Sequence, residues 1–230
     1  VPRCAALLIL ITFPVFAQAQ TPSANRGAFN PDIGVNLLGR YRSDSQGSND
    51  PTSDAPNWLA FQEAELQLTA DVDPYLRAAA LFSLAPEAGE WVFEPEEVYV
   101  ETLFLPRVTA RVGKFKAAFG RHNQLHTHAY AFIDAPLITH NLLGDEGLND
   151  FGGSAALLIP ATWFSELTLQ GFASRNEVLF ASTNSNDIAS VAYLRNVWDI
   201  RDDLTLELGL YGTEGANQYN ARTNAYGTDL

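Results

Sequence analysis

FQEAELQLTADVDPYLRAAALFSLAP, residues 61–86, reads as two strands joined by a tight turn. In the first, Ala64, Leu66, Leu68, Ala70 and Val72 fall on one face, and Glu63, Glu65, Gln67 and Thr69 on the other. Successive side chains of a strand point to opposite sides, so a period of two marks an element apolar on one face and wet on the other. Asp71-Val72-Asp73-Pro74 supplies turn residues. Beyond it Leu76, Ala78, Ala80, Phe82 and Leu84 oppose Tyr75, Arg77, Ala79, Leu81 and Ser83.

The pattern continues on both sides. Upstream, in 33–42, Ile33, Val35, Leu37 and Tyr41 oppose Asn36, Arg40 and Arg42. Downstream, in 96–105, Val98, Val100, Thr102 and Phe104 oppose Glu97, Tyr99 and Glu101. In 108–119 the apolar phase of Val108, Ala110 and Val112 passes from Lys114 to Phe115, which a bulge at Gly113 would reconcile. The run 151–159 is small and apolar on both faces, which leaves its orientation open. Further runs cover 162–174 and 188–198, the latter the weakest alternation. In 204–212, Leu204, Leu206, Leu208 and Leu210 oppose Thr205, Glu207, Gly209 and Tyr211. The tail from Thr213 to Leu230 is polar and unpatterned.

Nine runs result, and their connections alternate in length. Long ones follow the odd runs: Ser43–Asn57, the stretch through Pro86, Gly89 and Pro95, the 120–150 loop, Arg175–Asp187, and the tail. Short ones follow the even runs, at 71–74, 106–107, 160–161 and 199–203. Most runs are near the ~9–11 residues with which a tilted strand crosses a bilayer, and outer-membrane barrels pair short turns on one side with long loops on the other. The predicted fold is therefore all-β, a transmembrane antiparallel β-barrel. A soluble secreted β-sandwich also alternates, but has no reason to alternate its loop lengths. The aromatics Tyr41, Trp58, Phe82, Trp91, Phe104, Phe119, Trp163, Trp198 and Tyr211 sit near run ends, as interfacial girdles would.

Arg3, the apolar Ala5–Phe16 and Ala17-Gln18-Ala19 together read as a signal peptide over 1–19. A polar leader follows over 20–32, and the barrel domain over 33–230. An odd strand count would leave an open edge in lipid. With the polar tail, it predicts that these residues are the N-terminal part of a larger barrel in the bacterial outer membrane. The formal charge of −13 argues against a nucleic-acid partner. Cys4, the single cysteine, lies in the signal peptide, so no disulfide or thiolate chemistry is expected after cleavage. G-x-S-x-G, H-E-x-x-H and phosphate-binding glycine loops are absent, and no enzymatic activity is expected.

The segments at 61–86, EEVYVETLFLP (96–106), RVGKFKAAFGR (111–121) and LLGDEGLNDFGGS (142–154) resemble the phosphate-selective porin O and P superfamily. They are most similar to its members labelled zinc-regulated outer-membrane receptors. The resemblance covers about 33–170. It implies a 16-stranded, water-filled, trimeric barrel whose loop after GKFKAAFGR folds inward as a constriction. Two departures limit the likeness. Lys114, Lys116 and Arg121 are followed by Asp134, Asp145, Glu146 and Asp150 with no further Lys or Arg, which argues against phosphate selectivity. The short span between Ala19 and Ile33 also leaves no room for the plug of an energised receptor.

The expectation is a passive channel for small hydrophilic solutes or ions, set in outer-membrane lipid. The candidate constriction residues are Glu97, Glu101, Arg111, Lys114, Lys116, Arg121, Asp134, Asp145 and Glu146. Glu63, Glu65, Glu97 and Glu101 facing Arg40, Arg42, Arg77 and Arg111 would set a transverse field across the lumen, or else form cross-strand ladders that stiffen the wall. His122, His126, His128 and His140 crowd one loop and are candidate zinc ligands; alternatively they hydrogen-bond the loop to the wall. A metal-linked receptor barrel and a structural or adhesive barrel without a channel are the competing functions.

Overall fold

A computed structural model describes residues 31–43, 57–87, 89–176, 178–184 and 186–230. The signal peptide, Cys4 and most of the polar leader lie outside the described residues. Ten strands follow one another: β1 (Asp32–Arg42), β2 (Trp58–Asp71), β3 (Leu76–Glu87), β4 (Glu90–Thr102), β5 (Val108–Lys116), β6 (Asn149–Leu158), β7 (Phe164–Ala173), β8 (Ile188–Arg201), β9 (Leu204–Ala216) and β10 (Arg222–Asp229). They form one antiparallel sheet in which each strand pairs with its sequence neighbours, in the order β1 to β10. β1 and β10 are its two edges, and the sheet does not close on itself. The long β5–β6 connection holds two 3-10 turns, His122–Gln124 and Thr127–Ala129, and one short helix, α1 (Leu137–Leu143).

Three features differ from the sequence reading. Among the described residues the strand count is ten, because the tail contains the end of β9 and all of β10. Thr223, Ala225, Gly227 and Asp229 take one face of β10 and Asn224, Tyr226 and Thr228 the other, so no apolar alternation announces it. The stretch through Pro86 and Pro95 is strand rather than loop: β3 and β4 extend to residues 87 and 90. Pro95 lies beside a register shift, where a missing N–H costs little. Finally, β5 has no bulge at Gly113. Its register with β6 is continuous from Val108 to Lys116. Phe115 lies on the same face as Arg111 and is fully buried there. Lys114 lies on the opposite face, opposite Val98 on β4 and Phe151 on β6.

The two faces of the sheet differ in kind. One is apolar and open: Ile33, Val35, Leu37, Val98, Val100, Val112, Phe151, Leu169, Leu206 and Leu210 are exposed on it. Register settles β6, whose Phe151, Gly153, Ala155 and Leu157 point this way. Ring pairs gather at the strand ends. Tyr41–Trp58 and Phe61–Trp91 lie at one end, and Tyr75–Phe104 and Trp163–Trp198 at the other. Phe119 and Tyr211 do not belong to these bands. They pack edge to face, 4.9 Å apart, within the buried core.

That core lies on the second face, beneath segment 117–148. Phe115, Phe119, Leu143, Leu148, Phe172 and Phe180 meet there. Gly113 and Gly152 pair directly across β5 and β6 on this face. A Cβ on Gly113, whose φ is 145°, would strike Val98 and Tyr99 of β4. A Cβ on Gly152 would strike Phe172 of β7.

The sheet curves toward this covered face. Held flat at ~4.8 Å per strand, β2 and β10 would lie about 38 Å apart. Yet Arg121 N–H bonds Asp229 on β10, while His128 bonds Glu65 on β2. Residues 121–128 span at most ~25 Å even when fully extended, and here they contain both 3-10 turns.

Candidate functional site

Segment 117–148 is fastened at its neck, at its root and along its length. At the neck, Asn123 is buried and bonds three backbone groups. Its Nδ2 donates to Ala117 O (2.8 Å) and Leu148 O (3.0 Å), and its Oδ1 accepts from Leu148 N–H (2.8 Å). Asn176, on the β7–β8 connection, holds the far end by donating to Leu143 O (2.7 Å) and Gly147 O (2.8 Å). Ala118 N–H donates to Gln170 of β7 at 2.7 Å. Neither asparagine stood out in the sequence, where Asn in a polar loop reads as a turn residue; Asn123 counts because both ends of the segment return to it.

At the root, histidines meet carboxylates from β2 and β4. His126 Nδ1 lies 2.7 Å from Glu96 Oε2, and its Nε2 lies 2.6 Å from Glu97 Oε1. His128 Nδ1 lies 2.5 Å from Glu65 Oε2. Glu96 and Glu97 are chain neighbours, and regular alternation would send them to opposite faces. The register supplies the reason they do not: Leu81 pairs with Glu97 and Phe82 with Pro95, leaving Glu96 as the extra residue of a bulge. A second register shift, between Leu38 and Gly39, leaves Gln62 extra on β2, just before Glu63 and Glu65.

Burial disfavours charge on His126, but the hydrogen bonds it donates to Glu96 and Glu97 outweigh it and push the imidazole up to about 9. At neutral pH both ring nitrogens therefore donate. His122 moves the other way, lowered by burial and by Lys116; its ring lies tilted against Tyr130, with centroids 4.6 Å apart. His140 pairs with Asp145 at 2.7 Å, and both are exposed. The four histidines thus do not converge on one point. The described group that could hold a metal is Glu65, Glu96 and His126, each offering a ligand atom within 4.8 Å of the others.

The remaining candidate residues divide. Glu97, Glu101 and Arg111 lie on the covered face, where Arg111 Nη2 donates to Glu101 at 3.0 Å and stacks over Tyr99 at 4.0 Å. Arg77 bonds Asp71 at 2.8 Å, and Arg195 makes two bonds to Glu207, of 3.0 and 2.9 Å. These are cross-strand pairs of the ladder kind. Lys116 Nζ donates to Leu125 O at 2.9 Å and so holds the segment. Arg121 lies 3.9 Å from Glu207. Lys114 stands apart, on the open face with its ammonium on Pro95 O. Asp134, Asp145 and Glu146 are exposed on the segment itself.

A protein of Aquifex aeolicus (strain VF5), described as uncharacterized, is 28% identical to this chain over an alignment 254 residues long, gaps included. The alignment covers 92% of the chain and 53% of the relative, so the chain spans about half the length of the protein it matches. No protein-family model matches the sequence, and no solved structure matches it.

Proposed function

We propose that the ten strands are part of the wall of a closed β-barrel in the bacterial outer membrane, and that the protein is a passive channel for small hydrophilic solutes or ions. Segment 117–148 is its constriction. The observation that carries this reading is the contrast between the sheet's faces. The open face is apolar, with aromatic pairs near both strand ends, as lipid and its two interfaces require. The opposite face bears the ion pairs of Arg111 and Arg195 and the inward-folded segment. In lipid, unpaired strand edges are not tolerated, so β1 and β10 need further strands. A relative about twice as long is consistent with a larger wall. The exposed Asp134, Asp145 and Glu146, with a formal charge of −13 for the whole sequence, favour cations over anions. The wider assembly in this reading is a homotrimer.

Liposome swelling with the full-length protein tests this reading. Proteoliposomes should swell in small sugars, with a rate that falls steeply as sugar size grows. A folded protein that admits none of them would favour a structural or adhesive barrel.

A further inference from the structure

We propose that Glu65, Glu96 and His126 bind one divalent transition-metal ion, seated between β2, β4 and the root of segment 117–148. The three donors come from separate parts of the chain, and their ligand atoms lie within 4.8 Å of one another. Some point therefore lies within about 2.8 Å of all three, and contraction to the ~2.0–2.2 Å bonds of zinc moves each group by less than an ångström.

A second observation points to a missing partner. Glu65 is 3% exposed, and its Oε1 is buried with no hydrogen-bond partner. Glu63, beside it on the same face, is also buried and leaves its own Oε1 unpartnered. Buried carboxylate oxygens are costly unless something positive or a donor meets them. A cation bound by Glu65 supplies that positive charge.

The surroundings of His126 are those of a metal-bound imidazole. Ligating histidines usually keep the other ring N–H on a carboxylate, which fixes the ring. With Nδ1 on the ion beside Glu96, Nε2 keeps its N–H on Glu97, already 2.6 Å away. The ion replaces one imidazole proton, which is released to solvent. One nitrogen with carboxylate oxygens suits zinc and its first-row neighbours, whereas calcium and magnesium prefer all-oxygen sets. His128 pairs with Glu65 at 2.5 Å and orients that carboxylate, and water would supply the fourth ligand. The site needs only the attachment of the segment to β2 and β4, and does not depend on the channel reading.

The test uses full-length protein folded in detergent and stripped with a chelator. Calorimetric titration with Zn²⁺ should show one saturable ion per chain at micromolar concentration. Co²⁺ should give visible ligand-field bands. E96Q and the double variant E65Q/E96Q should weaken binding about tenfold or more, and H126A should abolish the Co²⁺ bands. H140A, whose side chain pairs with Asp145, should bind like the parent protein. E96Q changes shape least and decides the matter if H126A does not fold, with heat-modifiable gel mobility as the check of folding. Absence of saturable binding in the parent protein would overturn the proposal. So would binding that E96Q leaves unchanged, or that H140A reduces equally.

Discussion

Asn123 closes the neck of segment 117–148 with one side chain, serving Ala117 O, Leu148 O and Leu148 N–H. Replacing it with alanine leaves buried backbone groups without partners, at about 1–3 kcal/mol for each group left unmet. The strands of the sheet do not depend on these bonds, so N123A should loosen the segment and spare the wall. Limited proteolysis should cut within 117–148 faster in N123A, while the circular dichroism of the strands stays unchanged. Equal cleavage rates would show that the histidine and lysine contacts at the root suffice. At this scale the sequence was only partly informative. His126 and His128 were candidates because the loop between two strands collects every histidine. Their partners Glu65 and Glu97 were visible as wall residues by strand phase. Joining the two sets required the path of the loop, which depends on long-range contacts that no local pattern encodes.

Strands were legible where one face is apolar and the other polar, as in β2 and β9. They were missed where small or polar residues take both faces, as with Asn224, Tyr226 and Thr228 opposite Ala225, Gly227 and Asp229 in β10. The bulge at Glu96 escaped because the residues before it read as loop, so no change of strand phase could show across it. Phe93 and Pro95 precede it on the open face, and Val98 and Val100 follow. The bulge assigned to Gly113 instead marks a close approach. An alanine there would press on Val98 O and Tyr99 at a φ of 145°. G113A should lower the unfolding free energy by about 2–3 kcal/mol, as read by denaturant titration of protein folded in micelles. Gly153 is the control: a Cβ there meets only Arg111 O at 3.8 Å, so G153A should be close to neutral. Equal losses in the two variants would mean that strand flexibility matters at Gly113, rather than its contact with β4.

At the scale of the whole molecule, ten strands make a curved sheet with two free edges, an apolar outer face and a segment pinned across the inner face from β2 to β10. The loop lengths agree with a two-sided arrangement only in part. The connections at 43–57, 117–148 and 174–187 are long, whereas β3 and β4 join tightly at 88–89 on that same side. A narrowed channel needs the pinned segment to occupy cross-section that ions would otherwise use. The most direct measurement is single-channel conductance in planar bilayers, comparing the full-length protein with a form in which residues 125–146 are replaced by a short Gly-Ser linker. A constriction predicts discrete steps in both proteins, clearly larger in the shortened one, with a weaker preference for cations. Equal conductance in the two, or no steps from either protein once folded, would contradict it.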